Sequence, residues 1–235
     1  MRHFRHWTPR YIYHRLGLVV YQRRYPNVPW LTRAMVEILE NWLKPADRGF
    51  EWGSGRSTIW LAEKVRSLVS VEHNLHWYRR VSTQLKAKGL ENVEYHLCED
   101  AQDYSRLAGK FSSESFDFCL VDGETRDQCA LEAISLVKPG GIVIVDNCNW
   151  YLPPPEHSRS PFSRRPEQGP YTGKWAAYLD GVRGWRGVWT TNGVTDTALW
   201  VKPIDAAETR REAVAGGTTR RIVKGIHAAS GYESF

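Results

Sequence analysis

The stretch Phe50-Glu51-Trp52-Gly53-Ser54-Gly55-Arg56-Ser57-Thr58, followed by Glu72 at the end of the next apolar run, constrains this chain more than any other feature. It reads as a nucleotide-binding strand, turn and helix. Gly53 and Gly55 allow a sharp bend and close approach of a ligand, and an acid about 20 residues onward can accept hydrogen bonds from ribose hydroxyls. A dinucleotide fingerprint wants a third small residue where Thr58 stands, which disfavours a nicotinamide-dependent oxidoreductase. The Gly-Lys-Ser/Thr ending of phosphate-binding loops is also missing. The loop therefore suits an adenosine ligand without a pyrophosphate.

Around this turn, apolar runs alternate with helical periods. The reading is strand 49–52, helix 57–65, strand 68–72, helix 75–88, strand 93–97, strand 116–121, helix 125–137 and strand 142–145, with Pro139-Gly140-Gly141 as a turn. Such alternation predicts a parallel sheet covered by helices on both faces, with ligands at the carboxyl ends of its strands. A preceding helix is expected from Leu31, Met35, Ile38, Leu39 and Trp42, closed by Lys44-Pro45. Beyond a short helix at 174–179, the runs 185–191 and 197–201 flank Thr191-Asn192-Gly193 and predict a hairpin. The fold class is α/β: a Rossmann-like, doubly wound and mostly parallel sheet with a C-terminal antiparallel hairpin.

At 235 residues the chain suits one principal domain with extensions. We place an N-terminal extension rich in basic and aromatic residues at 1–29, where no clean helical or strand period emerges, the domain at 30–202, and a basic, flexible tail at 203–235. Residues 149–173, rich in Pro, Ser and Arg, read as a lid-like loop. No apolar run approaches the roughly 18 residues of a membrane span, and Met1 to His6 do not lead into a secretory apolar region, so a cytoplasmic protein without a transmembrane segment is expected. Cys98, Cys119, Cys129 and Cys148 form no Cys-x-x-Cys pair and read as free thiols. The formal charge of +6 gathers at the two ends, from Arg2 to Arg24 and from Arg210 to Lys224. Basic arms of this kind leave open a second reading, a non-catalytic nucleotide-fold module that recruits RNA or an anionic surface.

Taken together, the Glu51 to Gly55 loop, Glu72, Glu99-Asp100-Ala101, the strand ending in Val121-Asp122, and Lys138-Pro139-Gly140-Gly141 before a strand ending in Asp146 resemble the class I S-adenosylmethionine-dependent methyltransferases over roughly residues 30–202. The resemblance implies an enzyme that binds S-adenosylmethionine. Gly53, Ser54 and Gly55, with Glu51 in the same motif, would surround the methionine part, and Ser57 and Thr58 would lie near its carboxylate. Glu72 would hold the ribose, His73 would pack beside the sugar or adenine, and Asp100 with the Ala101 amide would read the adenine edge. Asp122 would border the same site.

A narrower resemblance joins Asp122, Asp146, Asn147 and Trp150 to the metal-dependent O-methyltransferases of catechols and caffeoyl-coenzyme A. It implies Asp122 and Asp146 as catalytic residues and Asp122, Asp146 and Asn147 as ligands of a divalent cation such as Mg2+. Those enzymes carry a Lys where this chain has Thr125, so the base is not reproduced. Arg126 stays protonated, and His157 or His76 are the substitutes. Base-methylating enzymes present an Asp/Asn-Pro-Pro-aromatic segment where Val121-Asp122-Gly123-Glu124 stands, which argues against nucleic acid as acceptor. The expected partner is a small-molecule methyl acceptor, methylated at oxygen. A homodimer is compatible with the sequence, which does not fix the oligomeric state.

Overall fold

The computed structural model describes residues 8–155 and 160–204. Of the tail expected at 203–235 all but Pro203 and Ile204 lies outside the described residues, as does His157. Seven strands form one sheet in the order β3-β2-β1-β4-β5-β7-β6. The strands are β1 Arg48–Trp52, β2 Ser67–Glu72, β3 Val93–Leu97, β4 Phe116–Val121, β5 Val137–Asp146, β6 Arg186–Thr191 and β7 Asp196–Val201. Strands β1 to β5 pair in parallel, while β7 runs antiparallel between β5 and β6. The expected α/β sheet and terminal hairpin are therefore present. Chain direction across the sheet reverses between β1 and β4, and that switch point opens a crevice at their carboxyl ends.

Residue alternation decides which helices cover which face. On β4, Cys119 and Val121 enter one core with Val143 and Val145 of β5, under α5 Ala101–Arg106, α6 Arg126–Leu136 and α7 Gly173–Gly181. Phe118, Leu120, Ile142 and Ile144 point the other way, into a core shared with α2 Arg33–Trp42 and α3 Arg56–Ala62. A strand buried on both faces reads as a continuous apolar run, as these do. Helix α4 Leu75–Lys88 packs on α3 through Ile59, Val81 and Leu85. Asn74 caps its start, and Gly89 in the left-handed region ends it.

Two expectations change. Residues 137–141 extend β5 instead of forming a separate turn: Gly140, at φ +80°, accompanies a register shift against β4, so the Pro-Gly-Gly segment is an irregularity within the strand. The N-terminal segment, which shows no clean period, contains α1 Pro9–Arg24. Thr8 caps it by accepting from the Tyr11 amide, and Pro9 occupies the first turn. Its period is hidden because apolar side chains occur around the whole helix and none is fully buried.

Candidate active site

The cleft at the switch point has a volume of about 810 Å³. Gly53 begins its floor. At φ +93°, its missing side chain would meet the Gly123 and Asp122 backbone at 2.6–2.7 Å, so the turns after β1 and β4 can touch only where residue 53 is glycine. Gly123 is equally confined, by the Tyr104 hydroxyl. Gly55 is different: its backbone is extended, and an added side chain would meet only Trp77 at 3.7 Å.

Glu72 holds the turn. Its Oε2 accepts from the Ser54 amide at 3.0 Å and the Ser54 hydroxyl at 2.8 Å, and its Oε1 accepts from the amides of His73 and Asn74. Ser54 Oγ also lies 2.5 Å from the Tyr95 hydroxyl, and Trp77 Nε1 donates to the Ser54 carbonyl. Behind the turn, buried Glu51 accepts from Thr58 Oγ1 at 2.6 Å and Ser70 Oγ at 2.7 Å. Burial outweighs the hydrogen bonds from Ser57, Thr58 and Ser70 and pushes the Glu51 carboxyl up to about 7. Thr58 passes the connection on by accepting from the Gly55 amide.

On the other side of the cleft stand the carboxyls of Asp122 and Asp146, at the ends of the adjacent strands β4 and β5. Burial raises both, and the neighbouring Asp122 charge adds to the effect on Asp146, which is pushed up to about 8. Asp146 Oδ1 also accepts from Thr197 on β7. Arg126 ties the ends of β4 and β5 together: its guanidinium donates to the carbonyls of Asp122, Gly123 and Asp146 and to Asn147 Oδ1, and it pairs with Asp122 Oδ1 at 3.0 Å.

The arrangement does not fit the expected divalent cation. Two oxygens of the proposed ligand set, Asp122 Oδ1 and Asn147 Oδ1, accept from the Arg126 guanidinium, and an oxygen of the third residue accepts from Thr197. A dication at this point would meet a fixed positive charge and compete with charge-assisted hydrogen bonds. Among the described residues no group of three His, Cys, Asp or Glu side chains could hold a metal ion.

Of the residues expected at the cofactor, Gly53, Ser54, Gly55, Ser57, Glu72, His73 and Asp122 line the cleft, whereas Glu51 and Thr58 support it from behind. Asp146 and Asn147 line it as well. Asp100 and Ala101 do not. Asp100 caps α5, its Oδ1 accepting from the amides of Gln102 and Asp103. His76 borders the cleft and is exposed. The expected lid-like loop supplies Trp150 and Phe162 and is pinned to the hairpin: Asn149 Nδ2 donates to Ser160 Oγ, which donates to the Val194 carbonyl.

Several cleft residues escaped the sequence reading. Tyr11, Arg15, Leu18 and Gln22 of α1 form one wall, and Val194 and Thr195 contribute from the hairpin turn. The Thr8-Pro9 capping signal could have revealed the wall-forming helix. Trp77 and Tyr95, the partners of Ser54, stand within a helical and a strand period and carry no separate signal.

Residues 50–148 match the model of a family described as a methyltransferase domain. No curated protein matches the chain. Solved structures similar to it include an S-adenosylmethionine-dependent methyltransferase from Methanosarcina mazei, at 18% identity over 72% of this chain and 98% of that one, with a TM-score of 0.45. An rRNA methylase from Streptococcus thermophilus is 14% identical over 72% of this chain and 93% of its own, with a TM-score of 0.49. A precorrin 8w decarboxylase from Methanobacterium thermoautotrophicum is 21% identical over 75% and 94%, with a TM-score of 0.48.

Proposed function

We propose that this chain, which carries a class I S-adenosylmethionine-dependent methyltransferase domain, methylates a hydroxyl oxygen of a small molecule held beside Asp146. The carrying observation is one cleft that joins the Gly53-Ser54-Gly55 turn and Glu72 to the carboxyls of Asp122 and Asp146. A volume of about 810 Å³, walled by α1, supports a small-molecule acceptor over a macromolecular one.

S-adenosylmethionine, when bound, supplies an electrophilic methyl group on a sulfonium. The chain's own residues then hold the acceptor in line and take up its proton. Gly53, Ser54, Gly55 and Ser57 line the side suited to the methionine part. Glu72 is the ribose partner in this reading. Ser54 Oγ is shared between Glu72 and Tyr95, so it can release the carboxylate and keep a partner.

Asp146 is the proton acceptor and Asp122 its neighbour. A carboxyl whose proton affinity is raised to about 8 is a better base toward a hydroxyl than an exposed carboxylate. Arg126 fixes both strand ends and balances the charge that appears when the pair loses its proton. Trp150 and Phe162 offer apolar surface to the acceptor.

Isothermal titration of S-adenosylmethionine into wild-type protein and Gly53→Arg checks the cofactor half, and equal binding by both overturns it. Incorporation of labelled methyl groups from the donor into pools of phenols and other hydroxyl compounds checks the acceptor. Transfer confined to amines or to RNA would remove the oxygen assignment.

A further inference from the structure

Helix α1 has two working faces. Tyr11, Arg15, Leu18 and Gln22 face the cleft, whereas the opposite side carries Ile12, Leu16 and Val20 at four-residue spacing, with Tyr13 beside them. Ile12 is 39% exposed, Leu16 62%, Val20 64% and Tyr13 73%. A whole apolar stripe on a single helix thus faces outward. Scattered exposed apolar residues are ordinary, but a stripe at helical spacing is not.

The charges around it identify what would cover it. Arg10, Arg23 and Arg24 are exposed, and the helix contains no acid. Two copies meeting through this face would bring arginine against arginine, with no carboxylate on either helix to offset the repulsion. An RNA backbone would satisfy the arginines but leave Ile12, Leu16 and Val20 without a use. An anionic bilayer satisfies both, with apolar side chains entering the acyl boundary and guanidinium groups among the headgroups. Tyr13 on the stripe and Tyr25 just past the helix are aromatic residues of the type enriched at that depth. At 16 residues the helix is about 24 Å long, suited to lying in the interface. No helix among the described residues is long and apolar enough to cross a membrane.

We propose that the outer face of α1 docks this protein onto anionic lipid bilayers. The cleft wall is the inner face of the same helix, so docking sets the cleft within roughly 10 Å, one helix diameter, of the headgroups. Membrane attachment and cofactor binding use opposite sides of α1 and are separately testable.

The test is co-sedimentation of the full chain with vesicles of phosphatidylcholine alone and vesicles also containing phosphatidylserine, for wild type, Leu16→Gln/Val20→Gln and Arg23→Glu/Arg24→Glu. Wild type is expected to bind the anionic vesicles at least about tenfold more tightly, and each double variant to lose about tenfold or more of that affinity. Far-UV circular dichroism and titration with S-adenosylmethionine should match wild type. Glutamine keeps helix propensity and adds no charge, so a loss in the first variant reports the apolar stripe. Binding that survives it would be purely electrostatic and would overturn the proposal. Equal, weak sedimentation with both vesicle types would do the same, as would a concentration-dependent dimer abolished by Leu16→Gln/Val20→Gln without any vesicle binding.

Discussion

The Arg126 guanidinium donates to Asn147 Oδ1 at 3.0 Å, bridging the loops that follow two adjacent parallel strands. The same group pairs with Asp122 and accounts for two of the oxygens that a divalent cation would need. Exhaustive chelation should therefore leave both the melting temperature and methyl transfer unchanged. Arg126→Ala should cost about 3 kcal/mol or more, because it strands partly buried acceptors and the Asp122 charge. Added magnesium should raise the melting temperature of that variant and not of wild type. Differential scanning fluorimetry with chelator or magnesium reads the melting temperatures, a labelled-methyl assay reads the transfer, and turnover lost on chelation would refute the Arg126 account.

Asp146 should control the proton. Asp146→Asn keeps the shape and the Thr197 partner but removes the base, so turnover should fall by roughly 10²–10⁴ with donor affinity retained. The working form is the deprotonated one, and the group is pushed up to about 8. Wild-type kcat should therefore rise with pH and level off above that value, while the variant's residual rate loses this limb. A pH profile under saturating donor distinguishes this from a structural role, which would scale the curve without moving it.

Where sequence and structure agree, one residue type in one pattern had one physical outlet. The double-sided apolar runs of β4 and β5 could only lie inside a parallel sheet, and Gly53 could only mark a bend. The glycine turn and Glu72 were legible for that reason. Arg126 was not, because an arginine at a helix start is ordinarily solvated, and only the fold brings four strand-end oxygens around it. Asp100 had two outlets in the sequence, adenine recognition and helix capping, and its Oδ1 is engaged at the start of α5. Helix α1 hid because its apolar side chains occur around the whole helix and leave no amphipathic period.

Glu51 should make stability depend on pH. A carboxyl raised from its ordinary range to about 7 contributes stability that is fully present below roughly pH 4 and is lost as pH climbs through 7. Glu51→Gln mimics the protonated form and should melt near wild type at acid pH, yet above it in alkaline buffer, by on the order of 2 kcal/mol. Thermal melts of the pair at mildly acidic and mildly alkaline pH check this. A constant offset across the range would mean that the wild-type carboxyl titrates where an exposed one does.

The two glycines of the turn should fail in different ways. At Gly53 the conformation is left-handed and a methyl group would strike the Gly123 backbone at 2.6 Å, so Gly53→Ala must separate the turns after β1 and β4, at about 2–4 kcal/mol. At Gly55 the backbone is extended and the nearest atom to a new methyl group is the Trp77 indole at 3.7 Å, an ordinary contact, so Gly55→Ala should change stability by less than about 1 kcal/mol. The residue still faces the cleft, and its methyl group would stand where the cofactor's methionine part is proposed to lie. Urea unfolding paired with titration of S-adenosylmethionine separates the cases: Gly53→Ala lowers the unfolding midpoint, whereas Gly55→Ala keeps the midpoint and weakens the donor about tenfold or more. If Gly55→Ala bound the donor like wild type, the close approach of a ligand at this turn would be ruled out.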